Sequence, residues 1–224
     1  MPEFEPWFTF AHCMLRPPVS LWFNWRFEGL EHVPREGPAL VAANHISYFD
    51  PIAHAYMFVK AGRRPRFLGK RELFDTPFIG TVLRGAHQIP VDRGSGSTAP
   101  LKAALDALSH GEVVVVYPEA TVTKNADWMP MKGKTGTARL ALDAAIPVIP
   151  MAVWGSQHIW QRSGHGDMRF GRPIWIKAGP AIDLSEYESS KDSIATLRTV
   201  TNLIMAGIRT LVVDLASTYP KRWA

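Results

Sequence analysis

The chain has 224 residues, one cysteine, 46% hydrophobic and 20% charged residues, and a formal net charge of +5. This ordinary globular composition excludes a disordered or collagen-like chain, and the lone Cys13 excludes a disulfide framework or a multi-cysteine metal site and fits a reducing compartment. The basic surplus points to an anionic partner: nucleic acid, anionic lipid or a phosphorylated ligand.

In chain order, residues 4–15 read as an apolar-rich helix broken at Pro17-Pro18. Trp22 to Phe27 reads as a strand. Phe4, Trp7, Phe8, Phe10, Trp22, Phe23, Trp25 and Phe27 place a third of the 24 aromatic residues in the first 27 positions. Such crowding suits a membrane interface, or a helix packed on the domain's own core. No run reaches the roughly 18 to 20 consecutive apolar residues of a spanning helix, and no signal-peptide pattern is visible. Glu31 to Pro38 is a turn-rich connector, and Ala39 to Ala43 a buried strand. Asp50-Pro51 then opens a helix to about Lys60, with Asp50 as N-cap and proline at the first helical position.

Arg66 to Leu68 reads as a short strand, residues 71–84 as one or two short helices, and Ala86 to Val91 as another strand. Arg93 to Ser97 is a glycine- and serine-rich loop. Pro100 to Ser109 is an amphipathic helix ended by Gly111. Val113 to Tyr117 is a fully buried strand, Lys134 to Ala144 a helix, Pro147 to Trp154 a buried strand and Pro173 to Lys177 an outer one. Residues 190–215 carry the longest helical pattern. Alternating strands and helices predict one α/β domain, with a largely parallel or mixed central sheet flanked by helices. The aromatic-rich N-terminal helical segment, residues 1–25, precedes a main domain of residues 26–224.

Two histidines have an aspartate five residues on, His45 with Asp50 and His87 with Asp92, where chance expects fewer than one such pair among eight His and ten Asp. Residues 87–92 read as extended chain, which spans about 16 Å and turns the two side chains to opposite faces. His45 to Asp50 crosses a strand-to-helix turn at the carboxyl end of a strand, the usual edge for sites in open α/β sheets. A carboxylate there fixes the imidazole tautomer and stabilises its protonated form, which makes a general base for an alcohol. Asp50 as a plain helix cap and His45 as a loop histidine are the alternative.

Three further segments carry charge at strand ends. Gly69-Lys70-Arg71-Glu72-Leu73-Phe74 joins cations to a helix start, which suits a phosphate. Val91-Asp92-Arg93-Gly94 leads an arginine into glycines. Tyr117-Pro118-Glu119-Ala120-Thr121 carries a buried strand into a turn, where Glu119 can bind a hydroxyl, pair with Lys70 or Arg93, or serve the turn itself. Lys132-Gly133-Lys134-Thr135 lacks the spacing of a nucleotide-triphosphate loop, and no G-x-S-x-G elbow supports a serine hydrolase.

Together these segments resemble the glycerolipid acyltransferases, the 1-acylglycerol-3-phosphate acyltransferases and their relatives, over residues 26 to 155. The N-H-x4-D motif is Asn44, His45 and Asp50. The G-K-x-E-L-F block is Gly69, Lys70, Glu72, Leu73 and Phe74, followed by Asp92-Arg93. The F-P-E-G-T-R motif reads Tyr117-Pro118-Glu119-Ala120-Thr121-Val122. The apolar V-P-V-I-P-V strand reads Ile146-Pro147-Val148-Ile149-Pro150-Met151.

The resemblance implies transfer of an acyl group from acyl-CoA or acyl carrier protein to a lipid hydroxyl, without metal or other cofactor. His45 would be the general base, oriented by Asp50. Lys70, Arg93, Glu119 and Thr121 would bind the acceptor and its phosphate, and Asn44, Gly69 and Pro118 would support the site. Ala120 and Val122 depart from the motif's glycine and arginine. In the family that arginine helps hold the acceptor phosphate, so 1-acylglycerol-3-phosphate is the default acceptor, and another lysophospholipid or a glycolipid the alternative. Lys124, Lys132 or Lys134 are candidate substitutes for the lost cation.

The resemblance further implies a peripheral or monotopic enzyme on the cytoplasmic face of a membrane. The N-terminal aromatics would lie in the interface, with Arg16, Arg63, Arg64, Arg66, Lys221 and Arg222 drawn to anionic headgroups. A non-catalytic lipid-binding module is the rival from another class. A nucleic-acid partner is not expected, since no nucleic-acid motif is present.

Overall fold

The computed structural model describes residues 5–92 and 98–223. One seven-stranded mixed sheet organises them: β1 (Asn24–Glu28), β2 (Ala39–Ala43), β3 (Pro65–Lys70), β4 (Ile89–Val91), β5 (Val113–Val116), β6 (Val148–Trp154) and β7 (Pro173–Ala178). The strand order is β1-β7-β6-β2-β5-β3-β4. All neighbours run parallel except β6 and β7, which pair antiparallel. The helices are α1 (Pro6–Trp22), α2 (Asp50–Lys60), α3 (Arg71–Phe74), α4 (Ile79–Gly85), α5 (Ala99–Ser109), α6 (Gly136–Ala144) and α7 (Ile194–Thr218).

The expected α/β sheet flanked by helices is what forms, and the reason lies in the central strands. Every residue of β2 and β6 is buried. Strands covered on both faces read as continuous apolar runs, not as alternation. Because β6, β2, β5, β3 and β4 run parallel, their carboxyl ends open onto one edge. Asn44, Arg71, Asp92, Tyr117 and Gly155, which directly follow them, stand at that edge.

Several local expectations fail for identifiable reasons. Pro17 and Pro18 lie inside α1 rather than ending it. The two missing N–H groups cost least here, because Cys13 and Met14, whose carbonyls lose their donors, are exposed to water. Tertiary contacts hold the last turn: Val19 is buried, the Trp25 indole donates to its carbonyl at 2.7 Å, and the Trp22 indole donates to the Met168 carbonyl at 2.5 Å. The strand expected from Ala86 begins at Ile89, because Ala86 and His87 form a turn with His87 at φ 54°. The outer strand on that side is β1, not β7, which lies between β1 and β6.

The basic residues divide sharply. Arg66 is 4% exposed and pairs with Glu5 at 2.7 Å and Glu112 at 2.6 Å, which clasps the start of α1 to β3. Partial burial alone would raise the Glu5 pKa, but the two arginines beside it, Arg66 and Arg64, hold it below the usual carboxylate range. Arg63 donates to the carbonyls of Pro34, Gly37 and Gly111. Arg63 and Arg66 are therefore structural and do not face headgroups as expected. Among the described residues, α7 alone is long and apolar enough to cross a membrane by length and composition. Its apolar stripe, including Leu197, Ile204, Ile208 and Leu215, is buried.

Gly155 ends β6 at φ 98°. A Cβ there would lie 2.2 Å from the Pro173 carbonyl oxygen. Gly155→Ala combines a left-handed backbone with a clash against main chain, so it should destabilise the fold by about 2 kcal/mol or more. Urea denaturation of the variant beside the wild type measures the loss.

Candidate active site

The site begins where β2 ends. Asn44 extends the sheet with its side chain: the amide nitrogen donates to the Val153 carbonyl at 3.0 Å, and the amide oxygen accepts the Val153 N–H at 2.8 Å. This pair of hydrogen bonds locks the first residue of the loop to β6.

Asp50 is fully buried. It was expected to be the helix cap, but it is the first residue inside α2 and Phe49 occupies the cap position. Its carboxylate is directed back at the loop. One oxygen accepts the N–H groups of Ile46 at 2.6 Å and Ser47 at 2.8 Å, and meets His45 Nδ1 at 2.9 Å. The other accepts the Ser156 hydroxyl at 2.6 Å. A buried charge needs such donors. An oxygen already receiving two N–H groups is an acceptor, so Nδ1 carries the proton and neutral His45 keeps its lone pair on Nε2.

Glu119 holds the same histidine by its main chain. It is 3% exposed. One carboxylate oxygen accepts the His45 N–H at 3.1 Å and the other the Met131 N–H at 2.8 Å. Burial pushes its pKa up, against the pull of those two N–H groups. The His45 carbonyl in turn accepts the Thr123 N–H at 2.7 Å. His45 is thus fixed at ring, N–H and carbonyl. Both Glu119 oxygens are engaged by backbone, which places this carboxylate behind the histidine and not on an open acceptor surface.

Tyr117 stacks on the His45 ring with centroids 4.2 Å apart and planes 19° from parallel. Its hydroxyl meets Nδ1 of His54 at 3.0 Å. His54 is fully buried, and that burial lowers its pKa to about 4. Tyr117 is pushed well above the ordinary phenol range by burial and by the nearby Asp50.

The structure brings His45, Asp50, Asn44, Pro118 and Glu119 together. Lys70 ends β3 on the same edge and pairs with Glu72 at 2.8 Å, both side chains about half exposed. Gly69 precedes it beside the Phe74 ring, 3.2 Å from where a Cβ would stand. Arg71 pairs with Asp92. Arg93, expected to bind phosphate, lies outside the described residues. Thr121 is half-buried in the turn after Glu119. Ala120 takes φ 58°, a conformation that favours the glycine it replaces. Val122 is 2% exposed, so the position of the motif's arginine is turned into the core.

Lys132 and Lys134 are exposed and flank that turn through main-chain bonds. Met131 N–H reaches Glu119, and Lys134 N–H donates to the Pro118 carbonyl at 2.9 Å. Ser156 was not foreseen, since it lies 106 residues from Asp50 with no local signal. His54 had one, the i, i+4 spacing from Asp50 on one helix face. Among the described residues, no group of three or more His, Cys, Asp or Glu is placed to hold a metal.

A family model for acyltransferases matches residues 24–154. A 1-acyl-sn-glycerol-3-phosphate acyltransferase of Bacillus subtilis is 28% identical over 172 residues, covering 75% of this chain and 82% of that protein. The enzyme of that name from Pseudomonas aeruginosa is 28% identical over 181 residues, 80% of this chain and 66% of its own length. The crystal structure of PlsC, the 1-acyl-sn-glycerophosphate acyltransferase of Thermotoga maritima, shares the fold. Its TM-score is 0.66 at 23% identity, over 92% of this chain and 78% of that one.

The buried His54 gives the fold a pH dependence. Its folded pKa of about 4 lies below the ordinary 6.5, so the unfolded chain binds the extra proton first. Stability from this residue is full above pH 6.5 and is lost as pH falls toward 4, by about 1 kcal/mol per pH unit. His54→Gln should flatten that slope, read from urea midpoints of both proteins between pH 7 and 4.5.

Proposed function

This chain belongs to the acyltransferase family, and from that premise we propose that it acylates the free hydroxyl of a lysophospholipid. The acyl group would come from a thioester, carried on CoA or acyl carrier protein. The default acceptor is 1-acylglycerol-3-phosphate, as in the names of the Bacillus and Pseudomonas relatives. The observation that carries the chemistry is the buried Asp50 carboxylate, which sets His45 with Nδ1–H inward and the Nε2 lone pair available.

In this reading His45 Nε2 takes the acceptor proton as the oxygen attacks the thioester carbonyl. The new imidazolium is stabilised by Asp50, whose position does not change during the reaction. Collapse of the tetrahedral intermediate breaks the carbon–sulfur bond, and His45 returns the proton to the thiolate. No acyl-enzyme is required, and Cys13, exposed on α1, takes no part.

Lys70 and Arg93 are assigned to the acceptor phosphate. Lys132 and Lys134 stand beside the turn whose arginine is replaced by the buried Val122, which favours them as the substitute cations. An apolar cavity of about 230 Å³ between α1, α2, β3 and α4, lined among others by Leu15, Val19, Ile52, Tyr56, Phe67 and Leu83, offers room for acyl methylenes. The acceptor is a bilayer lipid, so residues 1–25 are proposed as the membrane-facing segment. Phe10, Met14, Leu15, Leu21 and Trp22 are exposed along α1, a surface suited to an interfacial helix on the cytoplasmic face.

His45→Ala should lower acyl transfer to 1-acylglycerol-3-phosphate by at least 10³-fold with the fold intact by circular dichroism, while His87→Ala stays near wild type. Full activity in His45→Ala would overturn the mechanism. A panel with other lysophospholipids and glycolipids, each given one long-chain acyl-CoA, reads the acceptor.

Deleting residues 1–25 would also remove Glu5 from buried Arg66, so the membrane assignment is better tested by substitution. The triple variant Phe10→Ser, Met14→Ser, Leu21→Ser should lose most of its binding to anionic liposomes on sedimentation while its melting temperature stays within a few degrees. Unchanged sedimentation would rule the segment out.

A further inference from the structure

The face of His45 is covered by an aromatic ring that is itself held from two sides. Tyr117 lies 4.2 Å from the imidazole centroid at 19°. Phe67 follows behind it at 6.4 Å and 17°, so three rings stand roughly parallel across the edge of β5. The Tyr117 hydroxyl is tied to His54 Nδ1 at 3.0 Å, and His54 Nε2 is buried with no hydrogen-bond partner. The His54 side chain is thus held between the Asp50 main chain and the phenol, whose hydroxyl it fixes. The bond fixes the ring whichever His54 nitrogen carries the proton.

We propose that Tyr117 is a positioning residue for the proton transfer: its π face holds the His45 ring in plane and attracts the positive charge that develops there as the acceptor is deprotonated. This rests on His45 being the general base. A cation within about 6 Å of a tyrosine face is drawn to the ring quadrupole, more strongly where water is excluded. Here the separation is well inside that limit, and His45 itself is 8% exposed. Asp50 stabilises the same charge through Nδ1 in the ring plane, and Tyr117 acts perpendicular to it.

Among the described residues, the titratable groups set against His45 come from two elements. Asp50 and His54 come from α2, and Glu119 and Tyr117 from the segment after β5. Burial keeps His54 neutral near pH 7, so it adds no competing positive charge beside the imidazole. Glu119 reaches the His45 main chain and not the ring. Of these groups, Tyr117 alone meets the imidazole face to face.

Two substitutions separate the ring from the hydroxyl. Tyr117→Phe keeps the π face and removes one atom. Tyr117→Leu keeps an apolar filling and removes the π face. The Phe variant should retain kcat within about threefold. The Leu variant should lose about tenfold or more in kcat with KM for both substrates within twofold, and the acid limb of its kcat–pH profile should move to lower pH by several tenths of a unit. A structural role alone would lower the yield of folded enzyme without moving that limb, and the Phe variant would not rescue it.

NMR of the histidine rings tests the contact apart from activity. The ring-current displacement of the His45 resonances should persist in Tyr117→Phe and vanish in Tyr117→Leu, and those resonances should titrate at lower pH in the Leu variant. Resonances assigned by their loss in His45→Gln that titrate alike in all three proteins would overturn the proposal. An inactive wild type with the titration difference intact would instead overturn the assigned reaction and leave the ring's effect on His45 standing.

Discussion

Asp50 is a carboxylate with no access to water, and the architecture around it follows from the donors such a charge demands. Two come from the chain just before it, the N–H groups of Ile46 and Ser47. A third is His45 Nδ1, and the fourth, Ser156, comes from the turn after β6. Gathering the first three folds residues 44–50 into a tight turn between β2 and α2. Recruiting the fourth fastens the ends of β2 and β6 together, alongside the bond pair that Asn44 makes to Val153. Removing this carboxylate would leave several buried donors unpaired at once, which costs more than the loss of any one bond.

A second buried carboxylate serves the same residue from the opposite direction. Glu119 accepts the main-chain N–H of His45, and Thr123 donates to its carbonyl, so the loop after β5 grips the backbone of a residue whose ring is held by α2. The imidazole then has one place to be before any substrate arrives. Charge stabilisation that needs no rearrangement during reaction is the main source of enzymic rate enhancement in acyl transfer. The cost is two carboxylates kept out of water, and for Glu119 that cost is visible in its raised pKa.

The same accounting explains where cations stand and where they do not. Arg63 and Arg66 spend all their hydrogen bonds on carbonyls and carboxylates inside the fold. Val122 packs into the core at the position where the family places an arginine. Lys132 and Lys134, on a different segment, put exposed positive charge beside that turn, tied to it by main-chain bonds from Met131 to Glu119 and from Lys134 to Pro118. A cation can thus be supplied by a neighbouring loop when the motif's own position is buried.

The sequence alone determined the central strands, because unbroken apolar runs such as Val113–Val116 have no other low-energy use than burial on both faces. It also made the pairing of His45 with Asp50 the expectation, because their spacing crosses a strand-to-helix turn and the same residues fill the N-H-x4-D motif of the family it resembles. Tertiary structure decided what depends on distant partners. Ser156 reaches Asp50 across 106 residues, Glu119 is consumed by backbone, and Arg66 binds Glu5 from 61 positions away. Tertiary structure also carried α1 through two prolines, since the packing of Val19, Trp22 and Trp25 repays what the missing N–H groups forfeit. Local spacing reveals a contact only when the chain between two residues is short enough to constrain them, and beyond that the partner is chosen by which strands the sheet sets side by side.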